Sequence, residues 1–265
     1  MRFWNSPHGP LEVQDGEIHL WQADLDRHAQ AVQAFERTLA PEELAKAAQF
    51  RVALDRSRYV IAHGVLRAIL ARYLETTPGE PVFRYGPQGK PELSTGPVRF
   101  NMSHSHDLVL CAISRTRPVG VDVERIRPGV ADEVARWFAP GTASFLDGLP
   151  QSVRLRAFYQ SWTRMEAYAK GGGEGLESNL ENLDRFIDRS HPVLLPTLEG
   201  TGRTGPWWFH DFCPRKGYAA AVAVRGGRCS VKYWKWQAYE REPWRQSDAG
   251  RVPPGSGVQR CRGGG

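Results

Sequence analysis

Three carboxylates and a lysine stand out by type and spacing. Asp122 and Glu124 lie in Val119-Gly120-Val121-Asp122-Val123-Glu124, and Glu166 and Lys170 lie in Trp162-Thr163-Arg164-Met165-Glu166-Ala167-Tyr168-Ala169-Lys170. Carboxylates converging from two elements make an all-oxygen donor set. Such a set suits Mg²⁺, which keeps several waters and takes its remaining ligands from substrate phosphates. It does not choose between Mg²⁺ and Mn²⁺. A lysine beside the set is placed to contact a phosphate, so the chemistry expected is metal-assisted reaction at phosphorus.

Two elements must position these groups. Strand residues two apart share a face, so Asp122 and Glu124 project together while Val119, Val121 and Val123 pack the other way. Leu155, Phe158, Trp162, Met165 and Ala169 recur at spacings of three and four, which predicts a helix over 153–170. Thr163, Glu166 and Lys170 then share another surface of that helix. Each piece taken alone also has a plain reading. Asp-x-Glu on a strand can be a solvated face, and Glu166 with Lys170 a surface ion pair worth a few tenths of a kcal/mol.

The rest of the chain reads as α/β (α+β). A strand at 18–21 precedes a helical stretch from about 41 and an amphipathic helix over 56–74, with Tyr59, Ala62, Leu66, Ile69 and Tyr73 on its inner face. Extended segments follow at 82–85, 99–102 and 109–114. A second half repeats the plan: a strand at 119–125, helices at 132–138 and 153–170, and strands at 207–212, 217–224 and 230–236. This divides the chain into an N-terminal lobe, 1–117, and a C-terminal lobe, 118–242, that carries the carboxylates. Residues 243–265 are rich in Pro, Gly and Arg without apolar periodicity and are expected to be disordered.

Bulk properties narrow the class. With 265 residues and 41% hydrophobic content the chain can bury a sizeable core. No stretch has the length and apolarity of a membrane span, and the N-terminus lacks the apolar region of a signal peptide, so a cytoplasmic protein is expected. Cys111, Cys213, Cys229 and Cys261 show no C-x-x-C spacing, which argues against zinc or a disulfide framework; Cys111 and Cys229 are expected to be buried thiols. The net charge of +6 includes +2 from residues 246–265, and no nucleic-acid motif accompanies it. The excess suits a phosphate ligand and an acidic partner.

Upstream lies Phe100-Asn101-Met102-Ser103-His104-Ser105. A serine–histidine nucleophilic pair there lacks a Gly-x-Ser-x-Gly elbow. His104 and His106 at i and i+2 lack a third metal ligand. Together with the carboxylate motifs, the segment resembles the 4′-phosphopantetheinyl transferase superfamily, of the two-lobed type that activates surfactin synthetase. Residues 15–237 carry the likeness: Leu39-Ala40-Pro41-Glu42-Glu43, Asp55-Arg56-Ser57-Arg58, the Gly89-Lys90-Pro91 turn, Gly175-Leu176 and the strand from Gly217 to Val224 fall in the family's order. Met165 replaces a lysine usual before the glutamate, and Glu174 replaces another in the following loop. On the helix, Met165 falls on the apolar stripe.

The resemblance implies a pseudo-dimer of two similar lobes, monomeric, with the active site between them. The implied reaction carries the 4′-phosphopantetheine arm of coenzyme A to a serine of an acyl or peptidyl carrier protein and releases adenosine 3′,5′-bisphosphate. By the same resemblance Asp122, Glu124 and Glu166 hold Mg²⁺, Glu166 takes the serine proton, and Lys170 contacts the pyrophosphate. Lys46, Arg58, Lys90, Ser103 and His104 then contact coenzyme A. The carrier docks on residues 125–138, where Arg125, Arg127 and Arg136 alternate with Val130, Val134, Trp137 and Phe138. A rival is a module that binds carrier protein or coenzyme A without turnover, for which Met165 is the sole support. Another Mg²⁺-dependent phosphotransferase or nuclease is disfavoured by the absence of a P-loop.

Overall fold

The computed structural model describes residues 4–7, 11–129, 144, 146–173, 186, 194–195 and 205–237. The helix expected at 132–138, the Glu174-Gly175-Leu176 stretch and the tail lie outside them. Two four-stranded sheets form the frame. In the first, β1 (Glu17–Asp24), β4 (Arg99–Ser105), β5 (Leu108–Ser114) and β10 (Ser230–Lys235) lie in the order β10-β1-β5-β4. In the second, β6 (Val119–Arg125), β7 (Leu194–Leu195), β8 (Trp207–Phe212) and β9 (Tyr218–Arg225) lie in the order β6-β9-β8-β7. A small ribbon pairs β2 (Phe83–Tyr85) with β3 (Pro91–Leu93). Among the described strands, only the β1–β10 pair is parallel.

The strand pattern explains the stacking. Ile18, Leu20, Leu108, Leu110 and Ala112 from the first sheet meet Val119, Val121, Val123, Val222 and Val224 from the second in one core. The alternate residues face outward to a helix on each side. Trp21, Val109, Cys111 and Ile113 pack on α3 (Ala53–Leu74), and Ala221 and Ala223 pack under α4 (Gln151–Gly172). Both faces of each sheet are therefore covered, which is why β5 is buried along its whole length.

Two expectations change. The last strand does not complete the second half: it crosses back to lie beside β1, pairing Glu17 with Ser230 through Gln22 with Lys235. Its aromatics account for this, because Trp236 enters the core under α3 and Trp234 packs on Trp21 and His19, so the strand covers an edge that β1 would otherwise expose. The amphipathic helix is buried on nearly every side from Tyr59 to Tyr73. Its second covering layer comes from α1 (Val32–Glu36), α2 (Pro41–Ala47) and the proline-rich segment at 78–81, which has no period to read. Arg67 in mid-helix, 2% exposed, is matched there by Glu43 at 2.7 Å and by the carbonyl of Pro81 at 2.9 Å.

Candidate active site

β4 and β6 end their respective sheets and face each other without a backbone ladder. The polar side of β4 joins them instead. Phe100 and Met102 turn to the α3 core, which leaves Asn101, Ser103 and Ser105 on the other face. Asn101 Oδ1 accepts the Val121 N–H at 2.9 Å, Ser103 Oγ donates to Asp122 Oδ1 at 2.8 Å, and Ser105 Oγ donates to Glu124 Oε2 at 2.8 Å. Each carboxylate of β6 thus has its own serine.

The helix reaches this seam through two glycines. A Cβ on Gly120 would lie 1.9 Å from the Ala167 carbonyl oxygen and 2.3 Å from the Gly171 nitrogen, so only glycine lets α4 settle on β6. That approach lowers Glu166 and Lys170 onto Asp122. Lys170 Nζ lies 2.5 Å from Asp122 Oδ1, 3.0 Å from Glu166 Oε2 and 3.0 Å from Ser103 Oγ.

The cluster is short of positive charge. Asp122 is fully buried, and its Oδ2 has no hydrogen-bond partner among the described residues. Burial and then the Asp122 charge push the Glu124 carboxyl up to about 7, against the opposing hydrogen bond from Ser105. Burial and Asp122 also raise Glu166, although Lys170 and a hydrogen bond from Trp162 oppose them. For Lys170, burial would lower the pKa, but Asp122 and Glu166 together hold it above its ordinary value.

Among the described residues, no three acidic, histidine or cysteine side chains converge tightly enough to hold a metal as they stand. The Lys170 ammonium stands between Asp122 and Glu166. The donor set nevertheless fits a hard divalent cation: it offers only oxygens, one of them buried without a partner among the described residues, and two carboxyls that burial and the Asp122 charge hold toward their neutral form.

The remaining expected site residues are dispersed around this centre. Ser103 belongs to it directly. Lys90 donates to the Gly171 carbonyl at 3.0 Å, bridging the halves at the end of α4. His104 lies on the α3 side of β4, where the surrounding protein and the charges of Lys170 and Lys46 lower its pKa. Lys46 lies 5.8 Å over the Tyr59 ring, and its charge also reaches His63, which burial brings down to about 4. Arg58 is gripped by Asp26 through two hydrogen bonds of 2.9 and 2.8 Å.

Met165 is fully buried against Tyr168, Trp207 and Phe209. Of the expected docking segment, Arg125 and Arg127 are described, and Arg136, Val130, Val134, Trp137 and Phe138 lie outside the described residues. Sequence reasoning passed over Asn101 and Ser105, whose alternation with Phe100 and Met102 was the available signal. It also placed Trp162 wholly on the apolar stripe, although its indole serves Glu166.

Comparison with known proteins identifies the family. The model of the 4′-phosphopantetheinyl transferase superfamily matches residues 118–223, which hold all three carboxylates and Lys170. 4′-Phosphopantetheinyl transferase HetI of Nostoc sp. (strain PCC 7120) is 34% identical over 232 residues, covering 85% of this chain and 95% of that protein. 4′-Phosphopantetheinyl transferase Sfp of Bacillus subtilis (strain 168) is 26% identical, covering 72% of this chain and 84% of its own. A further 4′-phosphopantetheinyl transferase of Bacillus subtilis is 30% identical, covering 58% and 69%. A likeness that runs through nearly the whole of HetI and takes in the β4–β6 seam as well as α4 places the family beyond one shared motif: this chain belongs to the 4′-phosphopantetheinyl transferase superfamily.

Proposed function

We propose that this protein transfers the 4′-phosphopantetheine arm of coenzyme A to a serine hydroxyl of an apo acyl or peptidyl carrier protein and releases adenosine 3′,5′-bisphosphate. The observation that carries the reading is the buried, charge-deficient cluster of Asp122, Glu124 and Glu166 around Lys170. Asp122, Glu124 and Glu166 are the residues that would hold Mg²⁺, or Mn²⁺. The ion's chemistry is to neutralise phosphate charge on the reacting pyrophosphate.

This chain's own groups do the rest. Glu166 takes the proton as the serine oxygen attacks the β-phosphorus, a role favoured by a carboxyl whose pKa burial raises above the ordinary carboxylate value. The bond from that phosphorus to the oxygen of the leaving bisphosphate breaks. Lys170, positively charged throughout, moves from carboxylate to phosphate partners and binds the pyrophosphate. Ser103 and Lys90 at the seam, and His104 and Lys46 on its α3 side, contact coenzyme A. Arg58 does so only by releasing Asp26.

Each sheet places its first strand beside its last and the middle one outside, β1-β5-β4 and β6-β9-β8, with a 22-residue helix in each half. That repetition supports a pseudo-dimer of lobes 1–117 and 118–242, with β10 reaching back into the first. Asp122, Glu124, Glu166 and Lys170 all come from one chain, which is in keeping with a monomer, and coenzyme A chemistry of this kind suits the cytoplasm. No observation favours a non-catalytic module, because Met165 is a core residue and not an empty phosphate contact.

The test is intact-mass spectrometry of an apo carrier protein incubated with the protein, coenzyme A and Mg²⁺. A gain of one phosphopantetheine arm, lost on adding EDTA, is expected. No gain with any carrier, while coenzyme A still binds, would contradict the reading.

A further inference from the structure

The two-residue turn His106-Asp107 joins β4 to β5, with Ser105 paired to Leu108 across it. His106 has φ +57°, and Asp107 is not among the positive-φ residues. This is the φ pattern of a type II′ hairpin, whose first central position favours glycine. A histidine held in the left-handed region is uncommon, and such residues gather where the side chain has work to do.

The ring of His106 is held at both nitrogens. Arg125 Nη1 donates to His106 Nε2 at 2.6 Å, and His106 Nδ1 donates to Asp107 Oδ1 at 3.1 Å. Because a guanidinium can only donate and a carboxylate only accept, these contacts fix the neutral Nδ1–H tautomer. Asp107 is itself anchored. Arg215 Nη2 donates to it at 2.6 Å, the Tyr218 hydroxyl donates as well, and Arg215 Nη1 also reaches Asp24 Oδ2 at 3.2 Å. A relay therefore runs from the β8–β9 turn through Asp107 and His106 to Arg125, the residue after Glu124. The β4–β5 hairpin also holds Glu124 itself through Ser105 Oγ, which accepts the Arg125 N–H at 3.1 Å as well.

We propose that His106 is a positioning residue for carrier recognition, holding the exposed Arg125 guanidinium at the rim of the site to meet a carboxylate beside the carrier's serine. The relay uses one guanidinium N–H and leaves four for a partner. A side chain of several rotatable bonds loses less entropy on docking when it is already fixed. This rests on the transfer reaction proposed above.

Steady-state kinetics with an apo carrier and coenzyme A test it, using wild type, His106→Gly, His106→Asn, Arg125→Ala and the double variant His106→Gly/Arg125→Ala. Glycine fits the positive φ, and asparagine tolerates it without loosening the turn as glycine does, so both variants fold; His106→Gly keeps or raises the thermal midpoint. Both are expected to raise the carrier KM about two- to fivefold, the range of an exposed charge contact. The KM for coenzyme A and kcat stay as in wild type, and the double variant matches Arg125→Ala alone. An unchanged carrier KM in both His106 variants, a fall in kcat, or additive losses in the double variant would overturn the inference alone. No transfer by the wild type would overturn the functional reading and this inference with it.

Discussion

Buried charge is handled in opposite ways in the two halves of the molecule. Under α3, Glu43 and Arg67 are each 2% exposed and meet at 2.7 Å, with the guanidinium also bonded to the Pro81 carbonyl. Under α4, Asp122 and Glu166 share the Lys170 ammonium and Glu124 has no ion pair among the described residues; since Glu43 and Asp122 each keep one oxygen without a partner there, the contrast lies in the balance of charge. Both arrangements bear the cost of desolvation. The first balances its charges within the protein; in the second the described carboxylates outnumber the ammonium, which on the function proposed above leaves part of the cost for a ligand to offset. The balanced pair is structural, and the carboxylate-rich cluster in the seam between sheets is the candidate binding site.

Substitutions can break this contrast from either side. The largest effect is expected from Asp122→Ala and Glu166→Gln, which should lower kcat for transfer by about 10²–10⁴-fold while circular dichroism shows the fold intact. A soluble Glu166→Gln protein with near wild-type turnover would remove the base assignment. Glu43→Ala, on the matched side, should leave Arg67 buried and unpaired and cost about 3–5 kcal/mol in urea unfolding. Met165→Lys should also destabilise, by burying an ammonium among Tyr168, Trp207 and Phe209, and should not restore any rate; a faster and equally stable variant would show that the site has room for the lysine. Gly120→Ala should cost about 1–3 kcal/mol by prising α4 from β6, with transfer falling alongside.

The smallest effect sharpens the comparison by pH. Glu124 is raised from an ordinary 4.5 to about 7 in the folded chain, so its contribution to stability is complete below about pH 4.5 and is lost as pH rises through 7. The metal-free protein should therefore lose thermal stability over that window, and Glu124→Gln should flatten the loss. Equal slopes in the two proteins would mean that Glu124 is solvated.

Much of this site was legible before the fold was known. Alternation put Asp122 and Glu124 on one face, and helical spacing put Glu166 with Lys170, because both are local consequences of backbone period. What brings the two elements together was not legible. Gly120 reads in sequence as one small residue in a strand, and only the position of Ala167 and Gly171 shows that it sets the distance between β6 and α4. Likewise the burial of α3 on a second side, and the return of β10 to β1, depend on long-range partners that carry no period of their own. His106 shows the same limit. Its left-handed φ and its hold on Arg125 are properties of the closed hairpin, invisible in the run Ser105-His106-Asp107.

The central claim is that the unmatched carboxylates await a divalent cation. Thermal unfolding of the protein with coenzyme A, with and without Mg²⁺, at about pH 5 and about pH 8, tests it most directly. The account predicts that Mg²⁺ raises the midpoint, and raises it more at the higher pH, where Glu124 is ionised, with the increase lost in Asp122→Ala. A midpoint that ignores Mg²⁺ at both pH values would contradict it.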